Sequence, residues 1–248
     1  MKITVWSDFA CPYCYIGEMR LENALADINA VDRVEVEYKA YEIDPNASPE
    51  AQVSTAAQRM AGKYRIPLKE AEDKIAGIEQ LGADLNLDFR LSTARYSSTR
   101  DAHRLMKLAE SKGDSTLVRK LNFALFDAFF GKNLILADAE NLIQVAQSVG
   151  MDGKEVADML ASDRFTREVL EDEKEAMMHG VKGVPYFLFD DRFAMPGAIS
   201  TEAFKELLAR ELEKHHKHDN IVHEHPHFCD KNGCTLPDNQ KQELGHEK

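Results

Sequence analysis

The 248-residue chain lacks any apolar run long enough to span a bilayer. Its first residues also lack the basic segment, apolar stretch and cleavage site of a secretory leader. The expectation is a protein of a reducing cytosol with no membrane partner. Positive charge is short as well, with 31 Lys and Arg against 43 acids and a net charge of −12. No basic stripe stands out, so nucleic acid is not an expected partner. There is no internal repeat. Cysteine is scarce: the four residues form two pairs, Cys11 with Cys14 and Cys229 with Cys234. In a reducing compartment, a pair able to form a disulfide is more often catalytic or redox-sensing than structural. What remains is a globular composition, 44% hydrophobic and 30% charged. The length suffices to bury a core as one large domain, or as a domain carrying an insertion.

Cys11-Pro12-Tyr13-Cys14 is the most informative segment. It follows the apolar run Ile3-Thr4-Val5-Trp6 and opens a stretch with helical spacing. At a strand-to-helix junction the first thiol meets the unpaired N–H groups of the helix start, which favour a thiolate. The second lies one turn on, close enough to close a disulfide. Pro12 suits the first turn, where its missing N–H costs nothing. The bland alternative is half of a zinc site. Such a site needs a second ligand pair, and the other cysteines lie far away in a different context.

Residues 2–6 read as a strand and 12–29 as a helix, and alternation of Val34, Val36, Tyr38 and Ala40 makes 33–41 a second strand. Asp44-Pro45-Asn46 breaks it. Helical segments follow at 50–64, 67–82, 98–112, 115–131, 138–149, 152–162 and 164–179, with Gly113, Gly131 and Gly150 as stops and Asp138 and Asp163 as caps. Tyr186–Phe189 is a strand after Gly183-Val184-Pro185, and Asp190-Asp191 turns it into Arg192–Met195. Thr201–His215 is an amphipathic helix. The Glu171–Glu175 run reads as a solvated helix face. The order β-α-β, helices, α-β-β-α describes a small mixed sheet with helices on its faces, interrupted by a helical segment, and is compatible with a thioredoxin fold.

Ser7-Asp8-Phe9-Ala10-Cys11-Pro12-Tyr13-Cys14-Tyr15-Ile16-Gly17 resembles the active-site segment of DsbA-family oxidoreductases of the FrnE type. Ala102-His103-Arg104-Leu105, Gly183-Val184-Pro185-Tyr186-Phe187 and Pro196-Gly197-Ala198 match the same pattern. The resemblance covers about residues 1–213. It implies an α/β, thioredoxin-like fold with a large helical insertion domain, to which composition adds a His/Cys-rich C-terminal tail. The corresponding divisions are 1–48 and 166–214 for the two halves of the thioredoxin fold, 49–165 for the insertion and 215–248 for the tail. It also implies thiol–disulfide oxidoreductase or disulfide isomerase activity, with Cys11 as nucleophile, Cys14 as resolving thiol and Pro185 as a cis-proline facing them. From the residues alone, a proline ahead of an apolar strand ends the ladder and can adopt cis at low cost. The backbone of Val184 could then pair with an extended substrate strand. Pro12, Tyr13, Val184 and His103 are the candidate substrate contacts, although a histidine beside Ala102 and Leu105 is more often a packing residue. Trp6 and Tyr15 read as core rather than as a platform for substrate. The chain departs from the wider superfamily at Val5, where thioredoxins carry an acid six positions before the first cysteine. A proton acceptor for Cys14 must come from elsewhere, from water, or be absent. The Pro-Tyr pair is the one glutaredoxins use, and superfamily potentials span about −270 to about −120 mV.

Residues 215–248 hold seven of the nine histidines and almost no apolar residues, too few for a core. Asp230-Lys231-Asn232-Gly233 is a turn that can bring Cys229 and Cys234 together. Three readings stand: a second redox pair exchanging with Cys11–Cys14, a zinc site using both thiolates with His225 and His227, or an inert segment. Some FrnE-like proteins carry a C-terminal cysteine pair of this kind, which favours the redox reading. The expected partners are protein thiols and disulfides, with glutathione or a thioredoxin system as electron partner; no cofactor is required. Two rival functions remain. A kappa-type glutathione transferase or chromene-carboxylate isomerase shares the resemblance at Ser7–Ile16 but typically has serine at the position of Cys11. The other rival is a metal-binding or redox-sensing protein working through its tail.

Overall fold

Alternation in the first strand organises the molecule. β1 (Lys2–Ser7) lies at the centre of a four-stranded sheet of order β2-β1-β3-β4, with β2 spanning Glu35–Ala40, β3 Tyr186–Phe189 and β4 Phe193–Pro196. The computed structural model describes residues 1–224 and the segments 229–230 and 233–234, with side chains through residue 214. β1 runs parallel to β2 and antiparallel to β3, so a helix must cross over between the first two strands. That helix is α1 (Pro12–Asp27).

Ile3 and Val5 stand opposite Phe189 and Phe187 across the β1–β3 ladder, and all four are fully buried. They face α1 and α9 (Thr201–Glu224), whose Ile16, Leu21 and Phe204 complete the layer. Trp6 and Leu188 point the other way, onto Ala176 of α8 (Thr166–Met178). The Trp6 indole donates to the Asp172 carbonyl at 3.1 Å, which satisfies its buried N–H. Each such large apolar side chain contributes about 1.5–3 kcal/mol by leaving water. The β3–β4 hairpin turns at Asp190 and Asp191, both left-handed (φ 47° and 54°), a conformation that short acidic side chains tolerate.

Between β2 and α8 come α2 (Ala56–Tyr64), α3 (Leu68–Ala83), α4 (Arg100–Glu110), α5 (Ser115–Phe126), α6 (Ala139–Ser148) and α7 (Gly153–Leu160). Their apolar faces do not form a separate core. One buried cluster runs from Ile3 in the sheet through Phe126, Phe129 and Phe130 to Met159 in α7. Phe9 and Tyr15 bridge the two regions, each with its ring about 5 Å from that of Phe126 (4.9 and 5.0 Å).

Several elements differ from their sequence reading. The expected helix at 50–64 begins only at Ala56, because Thr55 and Gln58 cap its start reciprocally. The expected helix at 115–131 ends at Phe126 and continues as a π-helical turn, Asp127–Gly131, with Phe129 and Phe130 both fully buried and edge-on. Asp114, Asp138 and Asp152 cap α5, α6 and α7, but Asp163 does not cap α8; Phe165, left-handed at φ 66°, precedes that helix. The acidic run 171–175 is not wholly solvated. Asp172 is buried, accepts the Ala40 N–H at 2.9 Å, and pairs with Lys107 at 2.6 Å and Lys39 at 3.3 Å. α9 continues past 215 to Glu224. Beyond it, β5 (Cys229–Asp230) and β6 (Gly233–Cys234) pair antiparallel with Cys229 opposite Cys234. The candidate zinc ligands His225 and His227 lie outside the described residues.

Candidate functional site

Asp8 shapes the loop between β1 and α1. Its carboxylate accepts the N–H of Ala10 at 3.2 Å and that of Ile43 at 2.8 Å, tying the loop to the segment after β2. Its carbonyl accepts the Cys11 N–H at 2.9 Å. Cys11 is thereby held extended (φ −94°, ψ 112°) as the N-cap of α1, with Pro12 in the first turn. The Cys14 N–H donates back to the Cys11 carbonyl at 3.1 Å. Both cysteines are free thiols, but they are not equivalent. Cys11 is 5% exposed and opens on a cavity, whereas Cys14 is sealed at 0%. Burial pushes the Cys14 thiol well above its usual range; a hydrogen bond with Cys11 and the charges of Cys11 and Glu18 add to this, and an Asp8 backbone hydrogen bond opposes it.

The Val184–Pro185 peptide bond is cis and lies against the thiol pair. The Cys11 thiol donates to the Val184 carbonyl at 3.6 Å. The Pro185 carbonyl accepts the Gly197 N–H at 2.8 Å, and Arg20 of α1 donates to the carbonyls of Ala198 at 2.9 Å and Ile199 at 3.4 Å. Gly17 makes this packing close. A Cβ at that position would lie 3.2 Å from Pro185 Cγ and 3.3 Å from Ala198, tighter than ordinary van der Waals contact. The three segments that share the sequence pattern around 11–17, 183–187 and 196–198 therefore meet at one place.

A cavity of about 710 Å³ opens in front of Cys11. Pro12, Tyr13 and Val184 line it on the motif side. Met60, Ile75 and Ile78 of α2 and α3 give it an apolar far wall, and Arg59, Lys63 and Lys182 add positive charge. The Arg59 guanidinium lies over the Tyr96 ring, 4.5 Å from its centroid.

His103 is corrected by the structure. It lies on α4 behind the motif, 3% exposed and outside the large cavity. Its ring sits 4.9 Å from that of Phe9, and Nε2, without a hydrogen-bond partner, is 3.6 Å from Asp8 Oδ1. It supports the loop and does not reach a substrate in the cavity. Trp6 and Tyr15 are core, as their sequence context suggests. Sequence reasoning passed over Glu18, 1% exposed and one turn after Cys14. The available signal was its i, i+4 spacing from a thiol that must face inward. Among the described residues no group of three or more His, Cys, Asp or Glu side chains is arranged to hold a metal ion.

Comparison with known proteins places similar chains around this geometry. The signature of the DSBA-like thioredoxin domain spans residues 2–209. The crystal structure of a probable DsbA oxidoreductase, SCO1869 from Streptomyces coelicolor, superposes with a TM-score of 0.80 at 30% identity, covering 96% of this chain and 99% of that one. The uncharacterised protein YwbO of Bacillus subtilis (strain 168) is 26% identical over 221 residues, 86% of this chain and 98% of its own. A 2-hydroxychromene-2-carboxylate isomerase shares the fold at a TM-score of 0.63 and 16% identity, covering 89% of this chain and 99% of that one.

Proposed function

The chain belongs to the DSBA-like thioredoxin domain family, and from that premise we propose that it is a thiol–disulfide oxidoreductase acting on protein thiols and disulfides through Cys11 and Cys14. The observation that carries the reading is the asymmetry of the thiol pair. One free thiol caps a helix and opens on a cavity; its partner, one turn on, is sealed behind it.

In the reducing direction the Cys11 thiolate attacks one sulfur of a substrate disulfide. A Cys11–substrate bond forms, the substrate disulfide breaks, and the first substrate sulfur leaves as thiolate. Cys14 then loses its proton and attacks the Cys11 sulfur. The Cys11–Cys14 bond forms and the second substrate sulfur leaves. The substrate gains two electrons and the enzyme pair is oxidised. The opposite sequence oxidises a dithiol, and partial cycles isomerise mispaired disulfides. An extended substrate segment pairs with the backbone at Val184 while its side chains occupy the apolar wall of Met60, Ile75 and Ile78.

Insulin reduction by the wild-type protein, Cys11→Ser and Cys14→Ser tests this reading. Turnover should be lost in both variants, and Cys14→Ser should accumulate a mixed disulfide at Cys11. Glutathione conjugation that survives Cys11→Ser, without disulfide turnover in the wild type, would instead indicate a transferase or isomerase of the same fold.

The pairing of Cys229 opposite Cys234 supports a second redox pair. Directly opposed antiparallel residues have Cα separations of about 4.5–5.5 Å, inside the span a disulfide bridges. On this reading the tail pair exchanges with Cys11–Cys14, and glutathione or a thioredoxin system recharges the enzyme in the cytoplasm. Replacing both tail cysteines by serine should change the extent of active-site oxidation in metal-free buffer. Uptake of one equivalent of zinc that the same change abolishes, with disulfide turnover untouched, would favour the metal site.

A further inference from the structure

The cations around the thiol cavity face no described acid. On α2, Ala56, Arg59, Met60 and Lys63 stand at i, i+3, i+4 and i+7, so one face of the helix turns towards the cavity. A face that only packed on its neighbours would be apolar, yet two of these four positions are basic. Arg59 and Lys63 also form a like-charged i, i+4 pair, which weakens a helix unless an anion offsets it. Lys182 joins them from the segment leading to the cis bond, two residues before Val184. Among the described residues no carboxylate lies within ion-pair distance of any of the three. The chain carries a net charge of −12, so composition does not account for bare cations gathered at one cavity. Two acids also line the space. Asp8 engages both oxygens with backbone N–H groups, and Asp44 is exposed. Arg59 is held ready for a ligand: its guanidinium lies over the Tyr96 ring, and one nitrogen donates to the Gln52 side chain. That fixes the planar fork and leaves further N–H groups for a carboxylate.

We propose that the enzyme selects protein disulfides whose cysteine is flanked by Asp or Glu beside an apolar residue. The acids meet Arg59, Lys63 and Lys182, and the apolar side chain meets the wall of Met60, Ile75 and Ile78. The proposal rests on the oxidoreductase reading and names its substrate class. The backbone of Val184 borders the same cavity, which favours an extended peptide over a small anion. A volume of about 710 Å³ is roughly 9 Å across, and an extended chain advances about 3.3 Å per residue. The residues read are therefore those within about three of the substrate cysteine. Charges at a solvent-facing rim act on encounter and on partner choice more than on final affinity, so the selection is strongest at low salt.

The test uses three short peptides, each with one cysteine disulfide-bonded to 2-mercaptoethanol and an apolar neighbour. They differ in carrying Glu, Gln or Lys on both sides. In a Cys14→Ser background the Cys11 thiolate attacks the peptide sulfur; the Cys11–peptide bond forms, the bond to mercaptoethanol breaks, and mercaptoethanol leaves as thiolate. The second-order rate of this capture is normalised to the rate with dithiothreitol, which removes intrinsic differences between the peptides. The Glu peptide should react about tenfold faster than the Lys peptide at low salt, with Gln between them, and the ratio should shrink to about twofold near 0.5 M salt. Replacing Arg59, Lys63 and Lys182 together by Gln should bring the ratio within about twofold at low salt. Lys63→Glu and Lys182→Glu, both at exposed positions, keep the test open should the triple variant not fold: each should lower the ratio about threefold. Equal rates for the Glu and Lys peptides overturn the proposal, as does a ratio that persists at high salt or in all of these variants. If the triple variant slows oxidised glutathione but leaves the peptide ratio as it was, the cations serve a small carboxylate disulfide and the proposal falls. Failure of the oxidoreductase reading looks different, because no mixed disulfide would then form at Cys11 with any peptide.

Discussion

At the scale of single residues, accessibility adds a second difference to the helix position that already sets the two thiols of the motif apart in the sequence. Cys11 opens on the cavity and Cys14 is sealed, so iodoacetamide at mildly acidic pH should label Cys11 first, as read by mass spectrometry of the reduced protein. Preferential labelling of Cys14 would reverse the assignment of nucleophile. Glu18 carries a stability prediction of its own. Its folded pKa is raised from 4.5 to about 7, so the folded state holds the proton more tightly than the unfolded chain. Stability from this group is fully present below about pH 4.5 and is lost as pH rises through about 7. Glu18→Gln should therefore stabilise the fold at pH 8, by up to about 3 kcal/mol, and by progressively less towards pH 5. Urea denaturation at the two pH values measures the difference. A variant equally destabilised at both would show that the carboxyl is held by structural bonds alone. The CPYC motif was legible because its neighbours are local in sequence. Glu18 was not, because its hydrogen-bond partner Asn122 is brought from α5, far away in sequence.

At the scale of elements, most helices were legible from periodicity and all four strands of the main sheet from alternation or short apolar runs, β1 and β3 reading as runs because both their faces are buried. The failures have local causes. A capping box moved the start of α2, and a π turn interrupted the long helix ending at Gly131. The acidic run on α8 misled for another reason. In sequence it resembles a solvated face, but β2 and α4 bring Lys39 and Lys107 to Asp172. Removing that carboxylate leaves Lys107 buried with Glu110 to balance it and frees the Ala40 N–H. Asp172→Ala should cost about 3–5 kcal/mol, well beyond a surface substitution, and chemical denaturation would show it. A loss under 1 kcal/mol would mean that water replaces the pair. The same change should loosen α8 from β2 and leave the Cys11–Val184 contact in place.

At the scale of the whole molecule, the continuous core joins parts that the sequence suggests are separable. Residues 49–165 read as an insertion, which implies that the flanking halves could stand without it. Phe9 and Tyr15, which flank the thiol motif, pack on Phe126, and Tyr15 also lies 6.2 Å from the Phe130 ring. A chain joining residues 1–48 directly to 166–214 should lack cooperative unfolding and dispersed methyl resonances. A folded product would show that the sheet half carries a sufficient core. The joint core was not legible because periodicity shows which face of a helix is apolar, not which partner covers it.

The contact from the Cys11 thiol to the Val184 carbonyl ties two events to one proton. While Cys11 keeps its proton, the reduced protein occupies an acceptor that an incoming strand would use. On the oxidoreductase reading, the proton leaves when the attacking thiolate forms, so nucleophile and backbone acceptor become available together, like a latch and a hook worked by one lever. A Cys11→Ala variant, which has no thiol to donate, should therefore bind peptides of matching shape more tightly than the reduced wild type, as read by calorimetry; equal affinity would show that the thiol does not compete for the carbonyl.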